Sequence, residues 1–145
     1  MRTPEVLLVD DNPADTDLTS EVLARTGSPS RIHAVTDGVQ AMAFLRREGK
    51  YANALFPDLV ILDLSLPKKD GRTVLAEVKA DPVLRRIPIA IFSTSEAQRD
   101  IVRSYELGAN CYVSKPGNLQ DFISAVTSIG EFWFGLARLP REEEL

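Results

Sequence analysis

The sequence predicts a doubly wound α/β domain, a parallel sheet of five strands with five helices. Three observations predict it. Apolar runs that read as strands alternate with helical segments along the chain. The strongest runs, Glu5-Val6-Leu7-Leu8-Val9 and Pro57-Asp58-Leu59-Val60-Ile61-Leu62, are near-continuously apolar, as in parallel strands buried on both faces. Turn and cap residues punctuate the segments at short intervals. Strict alternation of this kind implies right-handed crossovers.

The elements follow in order. Glu5 to Val9 is the first strand, and it ends in Asp10-Asp11. Asn12 is a good N-cap and Pro13 a good first helical residue, so a helix starts there and runs to about Gly27. Arg31 to Val35 reads as a short second strand. Asp37-Gly38 opens a helix through about Glu48, stopped by Gly49. The third strand closes at Asp63. Pro67-Lys68-Lys69-Asp70-Gly71 has turn chemistry, and a helix follows from Arg72 to about Ala80. Ile87 to Phe92 is the fourth strand, and Ser95-Glu96 opens a helix that ends near Gly108. Asn110 to Val113 is the fifth strand. The last helix starts at about Asn118, with Leu119, Phe122, Ile123, Val126 and Ile129 at helical spacing.

Composition narrows the class. At 145 residues the chain fits one domain that buries roughly 68–70% of its unfolded surface. The lone Cys111 excludes an internal disulfide framework. The N-terminus lacks the basic and apolar regions of a signal peptide, and no apolar run is long enough to span a membrane. A cytoplasmic protein is expected. The net charge of −4 speaks against general nucleic-acid binding. Part of that charge is the tail Glu142-Glu143-Glu144, read as a frayed, solvated end.

The chemistry lies at the strand ends, where open α/β sheets hold their ligands. If the first and third strands are parallel neighbours, Asp10, Asp11 and Asp63 converge. Like charges in close quarters raise one another's pKa values. A hard divalent cation relieves the repulsion, Mg2+ being the usual one. Ser93-Thr94-Ser95 follows the fourth strand, and Lys115-Pro116 follows the fifth. Three acids, hydroxyls and one lysine at one edge suit a phosphoryl group on a carboxylate. An aspartate can be the nucleophile, with Mg2+ and the lysine neutralising the equatorial oxygens and a hydroxyl donating to one of them.

At these residues the chain resembles the receiver domain of two-component response regulators. The likeness covers about residues 5 to 130 and rests on Val9-Asp10-Asp11, Leu62-Asp63-Leu64 with Pro67 and Asp70-Gly71, Ser93-Thr94-Ser95, and Ser114-Lys115-Pro116. The resemblance implies a flavodoxin-like sheet in order 2-1-3-4-5. It implies that Asp63 accepts a phosphoryl group from a histidine kinase. Asp11 and Asp63 would ligate Mg2+ (or Mn2+) directly, Asp10 through water, and Ser65 through its backbone carbonyl. Of the phosphate-side hydroxyls Ser93 and Thr94, the family's spacing to Lys115 selects Ser93 as the switch. Tyr112 falls at the aromatic switch position and should turn inward when Ser93 moves.

A narrower likeness joins Pro67-Lys68-Lys69-Asp70-Gly71-Arg72, Asp81-Pro82, Ile87-Pro88, Ser93-Thr94-Ser95 and Phe132-Trp133 to single-domain regulators of bacterial and cyanobacterial phytochrome kinases. Gly117 departs from many receivers, in which a bulky aromatic follows the Lys-Pro pair.

The chain is therefore read as one stand-alone receiver, with a core over residues 5–130 and an aromatic, then acidic, extension over 131–145. It is expected to be a phosphoacceptor switch rather than an enzyme. Its output would be a contact with a downstream protein, or phosphate passed onward. Ala14, Leu18, Pro116 and Gly117 should meet the kinase, because a phosphohistidine must reach Asp63 in line. Phe132, Trp133 and Phe134 should support a homodimer: Trp133 extends the stripe of Ile129, while Phe132, Phe134 and Leu136 do not fit it.

Rival readings fit less well. A metal-dependent phosphohydrolase with an aspartyl nucleophile needs a second acid two residues on, where Ser65 stands. A flavodoxin-like cofactor carrier needs a phosphate loop after the first strand, where Asp10-Asp11 would repel one. A degenerate docking module would not keep the full set of acid, hydroxyl and lysine. Elsewhere, His33 reads as structural, Cys111 as a small buried hydrophobe and Lys68-Lys69 as a solvated loop.

Overall fold

Register, more than any one element, positions the strand ends in this protein. The computed structural model describes residues 3–26 and 29–140. Five parallel strands, β1 (Glu5–Val9), β2 (Arg31–Val35), β3 (Leu59–Leu62), β4 (Ile89–Ser93) and β5 (Cys111–Ser114), form one sheet in the order β2-β1-β3-β4-β5. Every residue of β1, β3 and β4 is buried, while the edge strands β2 and β5 are only partly covered. Burial on both faces is what their near-continuous apolar runs encode.

The strands divide their side chains between two cores. Leu7, Val9, Val60, Leu62, Ile89 and Ile91 meet α2 (Gly38–Leu45) and α3 (Gly71–Ala80) on one face. Val6, Leu8, Leu59, Ile61, Ala90 and Phe92 meet α1 (Pro13–Ala24) and α5 (Leu119–Gly130) on the other. The α4 helix (Gln98–Glu106) packs beside β5. Side-chain caps set the starts of four helices. Asn12, Asp37, Asp70 and Asn118 accept from the backbone N–H of Asp15, Gln40, Arg72 and Asp121.

Several boundaries differ from the sequence reading. The α1 helix ends at Ala24, and the expected stop at Gly27 lies outside the described residues. The α2 helix ends at Leu45, because Arg47 already adopts a left-handed φ of 57° ahead of Gly49. The β4 and β5 strands each begin and end one or two residues later than expected. The α4 helix starts at Gln98 rather than at Ser95-Glu96. Its cap residue, Ala97, offers no side-chain acceptor, and Ser95 hydrogen-bonds to Asp100 instead.

The chain continues past α5 as a π-helical segment, Glu131–Leu136. Ala137 N donates to Phe132 O, five residues back, at 2.7 Å. This wider turn changes which aromatics face inward. Trp133 packs on the core as its spacing from Ile129 predicts, and Phe134 joins it. Phe132 and Leu136 stay outside, 48% and 75% exposed. The acidic tail Glu142-Glu143-Glu144 lies outside the described residues.

Candidate functional site

Val9 stands level with Leu62, so the chains leaving β1 and β3 carry Asp10 and Asp63 out side by side. Asp63 N donates to Val9 O at 2.9 Å and Asp10 N to Val35 O at 3.1 Å, which fixes both backbones. Ser93 stands level with Ser114, and Lys115 N donates to Ser93 O at 2.7 Å. The acids, the hydroxyl and the lysine thus come together at one edge, as the strand pattern predicts.

Lys115 is the centre of the cluster. Its Nζ lies 2.7 Å from Asp10 Oδ2, 2.9 Å from Asp15 Oδ2 and 3.0 Å from Asp63 Oδ2. Lys115, Asp10 and Asp63 are all buried. Burial alone would pull the ammonium pKa down, but the hydrogen bonds it donates to Asp10, Asp15 and Asp63 outweigh it and push the value up. Lys115 therefore carries a fixed positive charge. Asp10 is pushed above the usual carboxylate range, chiefly by burial, against hydrogen bonds from Lys115 and the Asn12 backbone.

Asp10, Asp11 and Asp63 each offer a carboxylate oxygen within 4.8 Å of the others, and Asp11 is exposed. Three of the nearby carboxylates, Asp10, Asp15 and Asp63, share the Lys115 ammonium. An all-oxygen, electron-rich donor set with one open side suits a hard divalent cation. Asp63 keeps Oδ1 on the Ser65 backbone N–H at 3.2 Å. Gly71 packs so closely that a Cβ there would lie 2.2 Å from Asp63 O, so only glycine lets α3 begin against the acid's backbone.

The hydroxyls divide sharply. Thr94 is exposed. Ser93 is fully buried, and its Oγ has no hydrogen-bond partner, although it lies near the Tyr112 hydroxyl. In this structure the Tyr112 ring packs against the core, and its hydroxyl donates to Ser95 O at 2.9 Å. A half-buried phenol gains from an acceptor, and the Ser95 carbonyl supplies one.

Of the residues expected to meet a kinase, Leu18 lines a groove with Val22, Leu119 and Ile123, between α1 and α5. Ala14 and Gly117 are exposed, Pro116 is half-buried, and a Cβ on Gly117 would meet nothing within 4 Å.

Sequence reasoning missed Asp15. Its signal was its place in the first turn of a helix that starts beside an acid pair. It also missed that Arg72 and Asp100 form an ion pair at 2.9 Å. The Lys68-Lys69 loop is not simply solvated: Lys69 is half-buried and bonds Glu77 at 2.7 Å, and Lys68 lies 3.7 Å from the buried Asp37. His33 pairs with the buried Glu5 at 2.7 Å, and half-buried Cys111 has its thiol pKa pushed up by burial.

A doubly wound sheet in this strand order, with carboxylates, a buried hydroxyl and one lysine at its carboxyl edge, is the architecture of phosphorylation-dependent signalling domains. The chain belongs to the response regulator receiver domain family, whose model matches residues 6–127. It is 46% identical over 135 residues to the response regulator Rcp1 of Synechocystis sp., covering 93% of this chain and 92% of that protein. The phosphorylated cyanobacterial phytochrome response regulator RcpA superposes with a TM-score of 0.93 at 51% identity, covering 97% of this chain and all of that one (100%). The Mn2+-bound form of Rcp1 superposes with a TM-score of 0.92 at 45% identity, covering 95% and 99%. No described helix is long and apolar enough to cross a membrane.

Proposed function

We propose that this receiver accepts a phosphoryl group on Asp63 from the phosphohistidine of a sensor kinase and passes the signal on through a protein contact. One observation carries this reading: the Asp63 carboxylate lies 3.0 Å from the Lys115 ammonium and beside the oxygens of Asp10 and Asp11. An Asp63 oxygen attacks phosphorus, the P–O bond forms as the P–N bond breaks, and the imidazole leaves. Asp11, Asp63 and the Ser65 backbone carbonyl, with Asp10 through water, would hold Mg2+ or Mn2+, which would supply charge neutralisation. Lys115 exchanges carboxylate partners for phosphoryl oxygens. Ser93 spends its unpaired O–H on one of them, and Tyr112 and the loop after β4 respond. Thr94, exposed beside Ser93, plays at most an accessory part.

The donor is a phytochrome-type histidine kinase in the cytoplasm. The support is the phytochrome response regulator RcpA, 51% identical over nearly the full chain. Its phosphohistidine helix would rest on Ala14, Leu18, Pro116 and Gly117. A homodimer through Phe132, Trp133 and Phe134 is the other partner proposed, with Phe132 the exposed contact.

Intact mass after incubation with acetyl phosphate tests the reading. Wild type gains one phosphoryl group with Mg2+ and none in excess chelator, and Asp63→Asn gains none. Equal labelling of Asp63→Asn overturns it.

A further inference from the structure

Ser93 is buried with its hydroxyl unpaired, so the loop that begins with it decides where that donor stands. That loop is held from two sides. Tyr112 donates to the Ser95 carbonyl at 2.9 Å, and the Ser95 hydroxyl donates to Asp100 Oδ2 at 2.5 Å. Asp100 lies in the first turn of α4, and its other oxygen accepts from Arg72 Nη2 at 2.9 Å. Arg72 lies in the first turn of α3 and also reaches Asp70 at 3.2 Å. Asp70 caps α3 directly before Gly71, the glycine packed on the Asp63 backbone.

A continuous polar chain therefore runs from the start of α3, beside Asp63, through Arg72, Asp100 and Ser95 to Tyr112. We infer that Arg72 and Asp100 are positioning residues, whose ion pair holds the 93–95 loop and Tyr112 in the arrangement that receives a phosphoryl group on Asp63. The Ser93 donor is then placed before the acceptor arrives, and less ordering remains to be done on binding. The pair is only partly exposed, at 35% for Arg72 and 19% for Asp100, so solvent screens it incompletely. The Asp100 carboxyl is held below its usual range, first by the Ser95 hydroxyl and then by Arg72, so the pair stays charged at neutral pH.

The inference rests on Asp63 being the phosphoacceptor, and the experiment separates the two. Arg72→Gln, Asp100→Asn, the double variant and Arg72→Lys are titrated with beryllofluoride and Mg2+ and followed by amide NMR. Arg72→Gln and Asp100→Asn each raise the half-saturating concentration about threefold, the size expected of a partly screened ion pair. The double variant is no worse than either single one, and Arg72→Lys stays near wild type. In untreated protein, both single variants also move the Ser95 and Tyr112 resonances. Unchanged midpoints, additive losses or unmoved resonances overturn the inference. A wild type that ignores beryllofluoride, or an Asp63→Asn that responds like it, overturns the phosphoacceptor reading instead. The untreated resonances still judge the latch in that case.

Discussion

Lys115 Nζ lies 2.7 Å from Asp10 Oδ2, an ion pair between residues 105 positions apart that ties the end of β5 to the end of β1. Both partners are buried. Neither charge is tolerable there without the other. Removing the ammonium as Lys115→Met leaves Asp10, Asp15 and Asp63 facing one another. The expected loss is about 3 kcal/mol in chelator, by urea denaturation at pH 7. Mg2+ should stabilise the variant more than wild type, because the lysine competes with a cation for the same oxygens. Equal Mg2+ stabilisation of both proteins refutes that competition.

Glycine at position 71 is required by space, not by backbone angle. A Cβ there would lie 2.2 Å from Asp63 O and 2.6 Å from Leu64 Cα, both immobile backbone atoms. Gly71→Ala should cost about 1–3 kcal/mol and slow acetyl phosphate labelling, since relief of the clash must move Asp63. Gly117→Ala is the control, with nothing within 4 Å of the new methyl group. Wild-type labelling by Gly71→Ala would show that the loop yields without disturbing the acid.

Glu77 predicts a pH dependence. Its carboxyl is held below the ordinary 4.5, first by the Lys69 hydrogen bond, with Arg46 adding to it. A lowered folded-state value means stability that is present above the unfolded value and lost as pH falls through the folded one. Glu77→Gln should therefore be less stable than wild type at pH 7 by about 0.5 kcal/mol. The gap should close as pH drops below 4.5. Denaturation midpoints at pH 7 and pH 3 check this (about 4 units apart), and a gap of the same size at both excludes the mechanism.

Leu18 lines the groove between α1 and α5. Leu18→Asp should reduce phosphotransfer from a cognate histidine kinase at least about tenfold, the effect of losing one well-packed apolar anchor. Labelling by acetyl phosphate should be unchanged, because that donor needs no protein surface. Equal loss with both donors would place the defect in the Asp63 site.

Phe132 and Leu136 are exposed, whereas Trp133 and Phe134 are packed on the core. The test of a dimer is therefore the double substitution Phe132→Ser with Leu136→Ser, not deletion of the segment. Light scattering should show a dimer for wild type and a monomer for the variant. The melting temperature extrapolated to the monomer should shift by less than about 3 °C. A variant that remains dimeric removes these side chains from the interface.

Much of this architecture was legible in the chain. The apolar runs of β1, β3 and β4 located the buried strands, and Asn12-Pro13, Asp37-Gly38 and Asp70-Gly71 located helix starts to within a residue. These signals are local: periodicity and capping act over a few residues. The α2 and α4 boundaries were harder. Arg47 took a left-handed conformation that gives no clear sequence sign, and Ser95 bonded to Asp100 instead of capping.

The sequence by itself determined the strands, the three acids with Ser93 and Lys115 at their ends, and membership of the receiver family, because motif order and alternation specify them. Only the tertiary structure decided the partners. The register and the packing of α1 on the sheet gave Lys115 to Asp10, Asp15 and Asp63 across separations of 52 to 105 positions. The fold brought the starts of α3 and α4 close enough for Arg72 to pair with Asp100, left Ser93 buried and unpaired, and set Tyr112 on the Ser95 carbonyl. A π-turn brought Phe134 to the core and left Phe132 outside. No local pattern encodes these choices, because each depends on which elements meet once the whole chain is folded.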